Sequence, residues 1–137
     1  MYLTTKELEK YIREKINFLN ETSIGPHYFD DKTNGNEGVY VYSNWNGYHY
    51  VYSERGSETT HKITDSVFEI TFWVLYSIVS QLAYRSVPED VKNSSDPNAY
   101  RRFAFNKIIE LLGKIGENFK KAGELAVEET LRRAPYE

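Results

Sequence analysis

The stretch VYVYSNWNGYHYVYS, residues 39–53, decides how the rest of the chain is read. It is filled with β-branched and aromatic residues, which suit the pleated, half-buried surface of a strand. In its middle stands Asn46-Gly47, a favoured pair for the two positive-φ positions of a type I′ turn. The stretch therefore reads as a β-hairpin. With that turn, Trp45 lies opposite Tyr48, Ser43 opposite Tyr50 and Val41 opposite Tyr52 on one face, while Tyr40, Tyr42, Asn44, His49 and Val51 occupy the other. Both faces are aromatic, so one can pack on helices while the other still presents apolar area that a solvated sheet does not need. An isolated hairpin is marginal, and a third strand is expected over 57–63. Gly56 would turn the chain into it by accepting a positive φ.

Helices flank this sheet. Upstream, Thr4 and Glu7 have capping-box spacing, and Leu8, Tyr11, Ile12, Ile16 and Leu19 recur at three- and four-residue steps, which predicts a helix of roughly four turns. Residues 24–38 carry Gly25-Pro26, Asp30-Asp31 and Asn34-Gly35 and read as a loop with at most one weak strand at Tyr28-Phe29. Downstream, Ser66 and Glu69 repeat the capping-box spacing before an apolar run on more than one face, from Val67 to Leu82, the expected buried spine. Val87-Pro88 ends it, a polar link covers 89–95, and Asp96-Pro97 offers an N-cap with proline in the first turn. The next helix would turn Tyr100, Phe103, Ala104, Ile108, Leu111, Leu112 and Ile115 inward. After the break at Gly116, a last helix would use Phe119, Ala122, Leu125, Ala126 and Leu131. The expected class is α+β: an N-terminal helix, a small antiparallel sheet with a central β-hairpin, and three C-terminal helices packed on it. Residues 1–137 make one domain without internal repeats.

Totals narrow the function. Seventeen basic against 20 acidic residues give a net charge of −3, too weak a field for purely electrostatic binding to nucleic acid. The chain has no cysteine, so disulfides, thiolate metal sites and thiol nucleophiles are all ruled out, and a reducing cytoplasm is the expected compartment. The opening MYLTTKELEK lacks a secretory pattern, and the apolar run 72–79 is too short to span a bilayer, so no membrane association is expected. Tyrosines are abundant, 12 in all, and crowd between Tyr28 and Tyr52; such side chains offer apolar area with a polar tip and are enriched at interfaces.

Candidates for chemistry are few. His27, His49 and His61 have no metal-ligand spacing, and no metal or cofactor is expected. An acid–base cluster of His49 with Glu54 or Glu58 can be drawn, but strand alternation puts His49 and Glu54 on opposite faces unless a bulge intervenes. Arg55 suits either an internal anchor to a carboxylate such as Glu58 or a contact to a partner. Trp73 reads as core, and Arg101-Arg102 as a solvated or salt-bridged face.

Four segments in fixed order carry a resemblance: YHYVYSERGSE (48–58), THKITDSVFEITFWVLYSIV (60–79), AYRRFAFNKIIELLGKI (99–115) and the closing RRAPYE (132–137). They resemble immunity protein family sixty-three, found beside bacterial polymorphic toxins, over about 48–136. The matching positions are Tyr48, His49, Tyr50, Glu54, Arg55, Gly56, Thr64-Asp65, Trp73, Arg101, Arg102, Phe103 and Pro135-Tyr136; the link at 93–97 departs from the pattern. The resemblance implies a non-enzymatic protein that neutralises a cognate toxin domain by tight binding. Tyr40, Tyr42 and Trp45 are the candidate anchors, with Tyr48, His49 and Arg55 as further toxin contacts. Tyr50, Glu54, Gly56, Trp73, Arg101, Arg102, Pro135 and Tyr136 would be structural. Two rival readings stand beside it: a small hydrolase using His49 with Glu54 or Glu58, and a tyrosine-rich carbohydrate- or peptide-binding module. The aromatic hairpin edge can also pair with a copy of itself, making a homodimer.

Overall fold

In the computed structural model, which describes residues 2–19, 28–31 and 38–136, the chain opens with the capping box that its sequence spells. Glu7 N–H donates to Thr4 Oγ1 at 3.1 Å, and Thr4 N–H donates to Glu7 Oε1 at 2.8 Å. Two otherwise orphaned amides are satisfied and helix α1, Thr5–Lys15, begins. It buries Leu8 and Ile12 and leaves Tyr11 exposed, and its C-cap Ile16 is buried as well. A 3-10 turn at Asn17–Leu19 replaces the last turn that the apolar stripe predicts. Most of the expected loop over 24–38 lies outside the described residues. Within its described part, the Tyr28 carbonyl accepts from Val41 N–H at 2.7 Å.

Strands β1 (Gly38–Asn44), β2 (Gly47–Glu54) and β3 (Ser57–Thr64) form an antiparallel sheet in the order β1-β2-β3. The hairpin and third strand are where the sequence puts them, but the turns exchange roles. Asn44 pairs with Gly47, so Trp45 and Asn46 make the first turn. Gly47 takes a positive φ of 131°, whereas Asn46 does not. The expected type I′ turn at Asn46-Gly47 is therefore corrected. Thr64 explains the shift: a Cβ on Gly47 would stand 2.8 Å from the Thr64 carbonyl oxygen, so residue 47 must be a glycine in the ladder. The two positive φ angles of a type I′ turn fall instead on Arg55 (53°) and Gly56 (80°). Ser43 now faces Tyr48 and Val41 faces Tyr50, a slip of two residues that leaves every side chain on its expected face.

Helix α2 runs from Val67 to Arg85, and Glu69 N–H donates to its cap Ser66 Oγ at 3.0 Å. Its 19 residues exceed the apolar run 72–79: among the described residues it is the one helix long and apolar enough, by length and composition, to cross a membrane. Core helices pass the same test, and Ile70, Val74, Leu75, Ile78, Val79 and Ala83 are all buried. A short helix α3, Glu89–Lys92, occupies part of the expected polar link. Helix α4 spans Ala99–Ile115 and α5 spans Glu117–Arg133.

The chain divides into two compact units, Met1–Val74 and Leu75–Glu137, with α2 passing through the boundary. In the first, α1 is tied to the hairpin: Ser43 N–H donates to Thr5 Oγ1 at 3.0 Å, and Leu3 N–H donates to the Tyr48 hydroxyl at 2.8 Å. In the second, α4 buries Ala104, Phe105, Ile108, Leu111 and Leu112, and α5 buries Phe119, Gly123 and Val127. The stripe on α5 differs from expectation, since Leu125 is 67% exposed and Gly123 takes the central inward position. Asp96 does not cap α4 directly. Its carboxylate accepts from Asn98 N–H at 2.9 Å and pairs with Arg102 at 2.8 Å, and the helix starts behind Asn98.

Candidate functional site

The two sheet faces are built from different chemistry. One carries Val41, Tyr48, Tyr50 and Lys62: Tyr2 meets the Tyr48 ring edge-on at 5.3 Å, Tyr50 meets Trp73 at 6.1 Å, and the Lys62 ammonium lies 4.2 Å over Trp73. This is the apolar interior of the first unit, and burial lowers the Lys62 pKa from its ordinary value. Tyr48 is 1% exposed and so serves the core, which corrects its placement among surface contacts. Trp73, expected as core, is half-buried in this cluster.

The second face carries a stack and a chain of hydrogen bonds. Tyr40 stacks on Tyr42 at 6.2 Å, Tyr42 on His49 at 4.4 Å with planes 8° apart, and His61 meets His49 edge-on at 5.1 Å. Asn44 Oδ1 and Asn46 Oδ1 lie 2.9 and 2.8 Å from His49 Nε2. Facing two amide oxygens, Nε2 must carry hydrogen, which leaves Nδ1 as the acceptor. His61 Nε2 lies 2.8 Å from that Nδ1 and therefore donates. On its other side, His61 Nδ1 lies 3.2 Å from Glu58 Oε2. Tyr40 OH donates to Glu58 Oε1 at 3.4 Å. Burial, then the neighbouring His61, lowers the His49 pKa from 6.5. Burial, then the Glu58 charge, raises those of Tyr40 and Tyr42.

A bulge makes this arrangement. Glu54 pairs with Ser57 and Ser53 with Glu58, but the register then slips, so that Tyr52 pairs with Thr60 and Val51 with His61. Thr59 is the extra residue. Without it, His61 would point to the Trp73 side and Lys62 would stand beside His49, because each one-residue slip reverses a strand's faces. With it, Glu58 and His61, three apart in one strand, share a face. Glu54 stays on the face opposite His49, as alternation predicts.

The expected contact residues do not form one patch. Tyr40 and His49 are 7% and 3% exposed, and Tyr42 is half-buried. Trp45 is 87% exposed at the β1–β2 turn. It borders a groove of about 1000 Å³ lined also by Tyr2, Leu3, Thr5, Lys6 and Asn44. Arg55 sits at the other end of β2, roughly 24 Å away along an eight-residue strand. For acid–base work by His49, both ring nitrogens are engaged by neighbours. Among the described residues, no three His, Asp or Glu side chains gather to hold a metal ion.

In the second unit, Arg101 Nη2 donates to the Ala134 carbonyl at 2.7 Å, and the Arg101 and Arg102 guanidinium groups lie 5.5 and 5.0 Å over the Tyr136 ring. This clasp ties the chain after α5 to the start of α4. Sequence reasoning overlooked His61, Asn44 and Asn46 as partners of His49. Only the bulge brings His61 there, and no residue type announces a bulge.

Residues 44–129 match the model of a protein family described as Immunity protein 63. No curated protein and no solved structure matches the chain.

Proposed function

We propose that this chain, which belongs to the immunity protein 63 family, binds a cognate bacterial toxin domain in the cytoplasm and neutralises it by covering its surface, with Trp45 as the central anchor. Family membership supports the class of partner. The observation that carries the anchor is the exposure of Trp45, 87%, on a turn whose geometry glycine, asparagine or aspartate would serve as well. Tryptophan is the residue type most often found carrying binding energy at protein interfaces, and the adjoining groove offers a partner both apolar wall and the Lys6 ammonium. Tyr42, half-buried and stacked on His49, supports the turn from behind.

A specific complex of this kind buries about 1,200–2,000 Å² in total. The test is co-expression with the toxin domain encoded by the neighbouring reading frame. Cells are expected to survive when the chain is present, and the two proteins to elute together as a stoichiometric complex. Death of cells that contain the folded chain, or protection without a complex, would overturn the proposal.

A further inference from the structure

The hydrogen-bond chain on the second sheet face ends on both neighbours of Trp45. One imidazole N–H, on His49 Nε2, reaches the amide oxygens of Asn44 and Asn46, and Asn46 N–H donates to the same Asn44 Oδ1 at 3.0 Å. The two residues flanking the exposed tryptophan are thus held to one buried ring. His49 itself is oriented by His61, and His61 by Glu58.

We infer that Glu58, His61 and His49 form a brace that sets the Trp45 turn in the shape its partner meets, so that His49 and His61 are positioning residues for binding. The inference rests on the reading of Trp45 as the anchor. Three observations carry it. The bulge at Thr59 interrupts an otherwise regular ladder, and its effect is to bring His61 onto the face of His49. The donor order is set from Asn44 and Asn46 through the His49 ring to His61 Nε2, and the Glu58 carboxylate lies 3.2 Å from the far nitrogen of His61. The ring that grips the turn is almost wholly buried and stacked against Tyr42, so it is a fixed point and not a surface contact.

The titratable groups facing His49 are His61 and, behind it, Glu58 on β3, and Tyr42 and Tyr40 on β1, with Asp31 acting on the two tyrosines. Lys62 belongs to the opposite face. A second proton on His49 would sit on Nδ1, where it meets the His61 Nε2–H; two donors then face each other and the brace opens. Burial works against that protonation.

Amide hydrogen exchange measured by NMR on the full chain, without any partner, tests this. Relative to Val41, His61→Ala should speed exchange at Asn46 and Gly47 about tenfold. His61→Gln, whose amide can still donate to His49 Nδ1, should hold it within about twofold of the native chain. Acidifying the native chain until His49 titrates should reproduce the alanine effect once the intrinsic pH dependence of exchange is removed. Unchanged exchange in His61→Ala, or glutamine behaving like alanine, would overturn the brace. With the toxin domain from the neighbouring reading frame, the affinity lost in His61→Ala should vanish in a Trp45→Ala background. Equal loss in both backgrounds would overturn the brace and leave Trp45 an anchor. Failure of the native chain to bind that domain would overturn the proposed function, and the exchange rates would still decide the brace.

Discussion

Arg55 and Gly56 both stand at positive φ, and they differ in what that costs. A side chain in the left-handed region crowds its own carbonyl, a penalty of roughly 1–2 kcal/mol that glycine escapes. Around Gly56 nothing lies within 4 Å of where a Cβ would be, so Gly56→Ala isolates the backbone term. It is expected to destabilise the chain by about 1 kcal/mol, read as a lowered urea midpoint with unchanged slope. His49 supplies a second expectation. Its folded pKa lies below 6.5, so below 6.5 the unfolded chain binds a proton that the folded one refuses. The stability contributed by neutral His49 is therefore complete above 6.5 and is lost as pH falls toward the folded value. Denaturation at pH 7.5 and 5.5 should show the native chain losing more stability than His49→Gln; equal losses would remove His49 as the source.

Much of each element could be read from local signals. The capping box at Thr4, the Ser66 cap and the strand segments of the hairpin all depend on neighbours within four residues, and they formed where their spacing predicts, though the hairpin's register is two residues off. The turn at 45–46 and the inward stripe of α5 could not be read so, because a distant residue decides each: Thr64 O crowds position 47, and Leu112 lies against Gly123. A Cβ at Gly123 would overlap the terminal methyl of Leu112, which is fully buried and cannot swing aside without strain. Gly123→Ala should therefore destabilise by about 1–3 kcal/mol despite the better helix propensity of alanine. A gain in thermal midpoint would mean that α4 and α5 have room to separate. The bulge at Thr59 was the least legible of all. Its residues, Ser57 to Thr60, are polar like any turn-proximal strand, yet this single insertion decides which of His61 and Lys62 faces His49.

Across the whole chain, the site residues expected from sequence separate into three roles. Tyr48, Tyr50 and Trp73 are packed in the first unit, Arg101, Arg102 and Tyr136 clasp the second, and Trp45 alone among the aromatic candidates is almost fully open to solvent. The family match spans 44–129 and so begins at the turn that bears Trp45. If that turn is where the toxin docks, the binding energy is concentrated there and is not spread over every exposed apolar residue. The direct measurement is calorimetric affinity for the toxin domain encoded by the neighbouring reading frame, with Trp45→Ala compared against Leu125→Ala, an exposed apolar residue of the second unit. Trp45→Ala is expected to weaken binding at least about tenfold while Leu125→Ala stays within about twofold. Native affinity in a correctly folded Trp45→Ala chain would contradict the assignment.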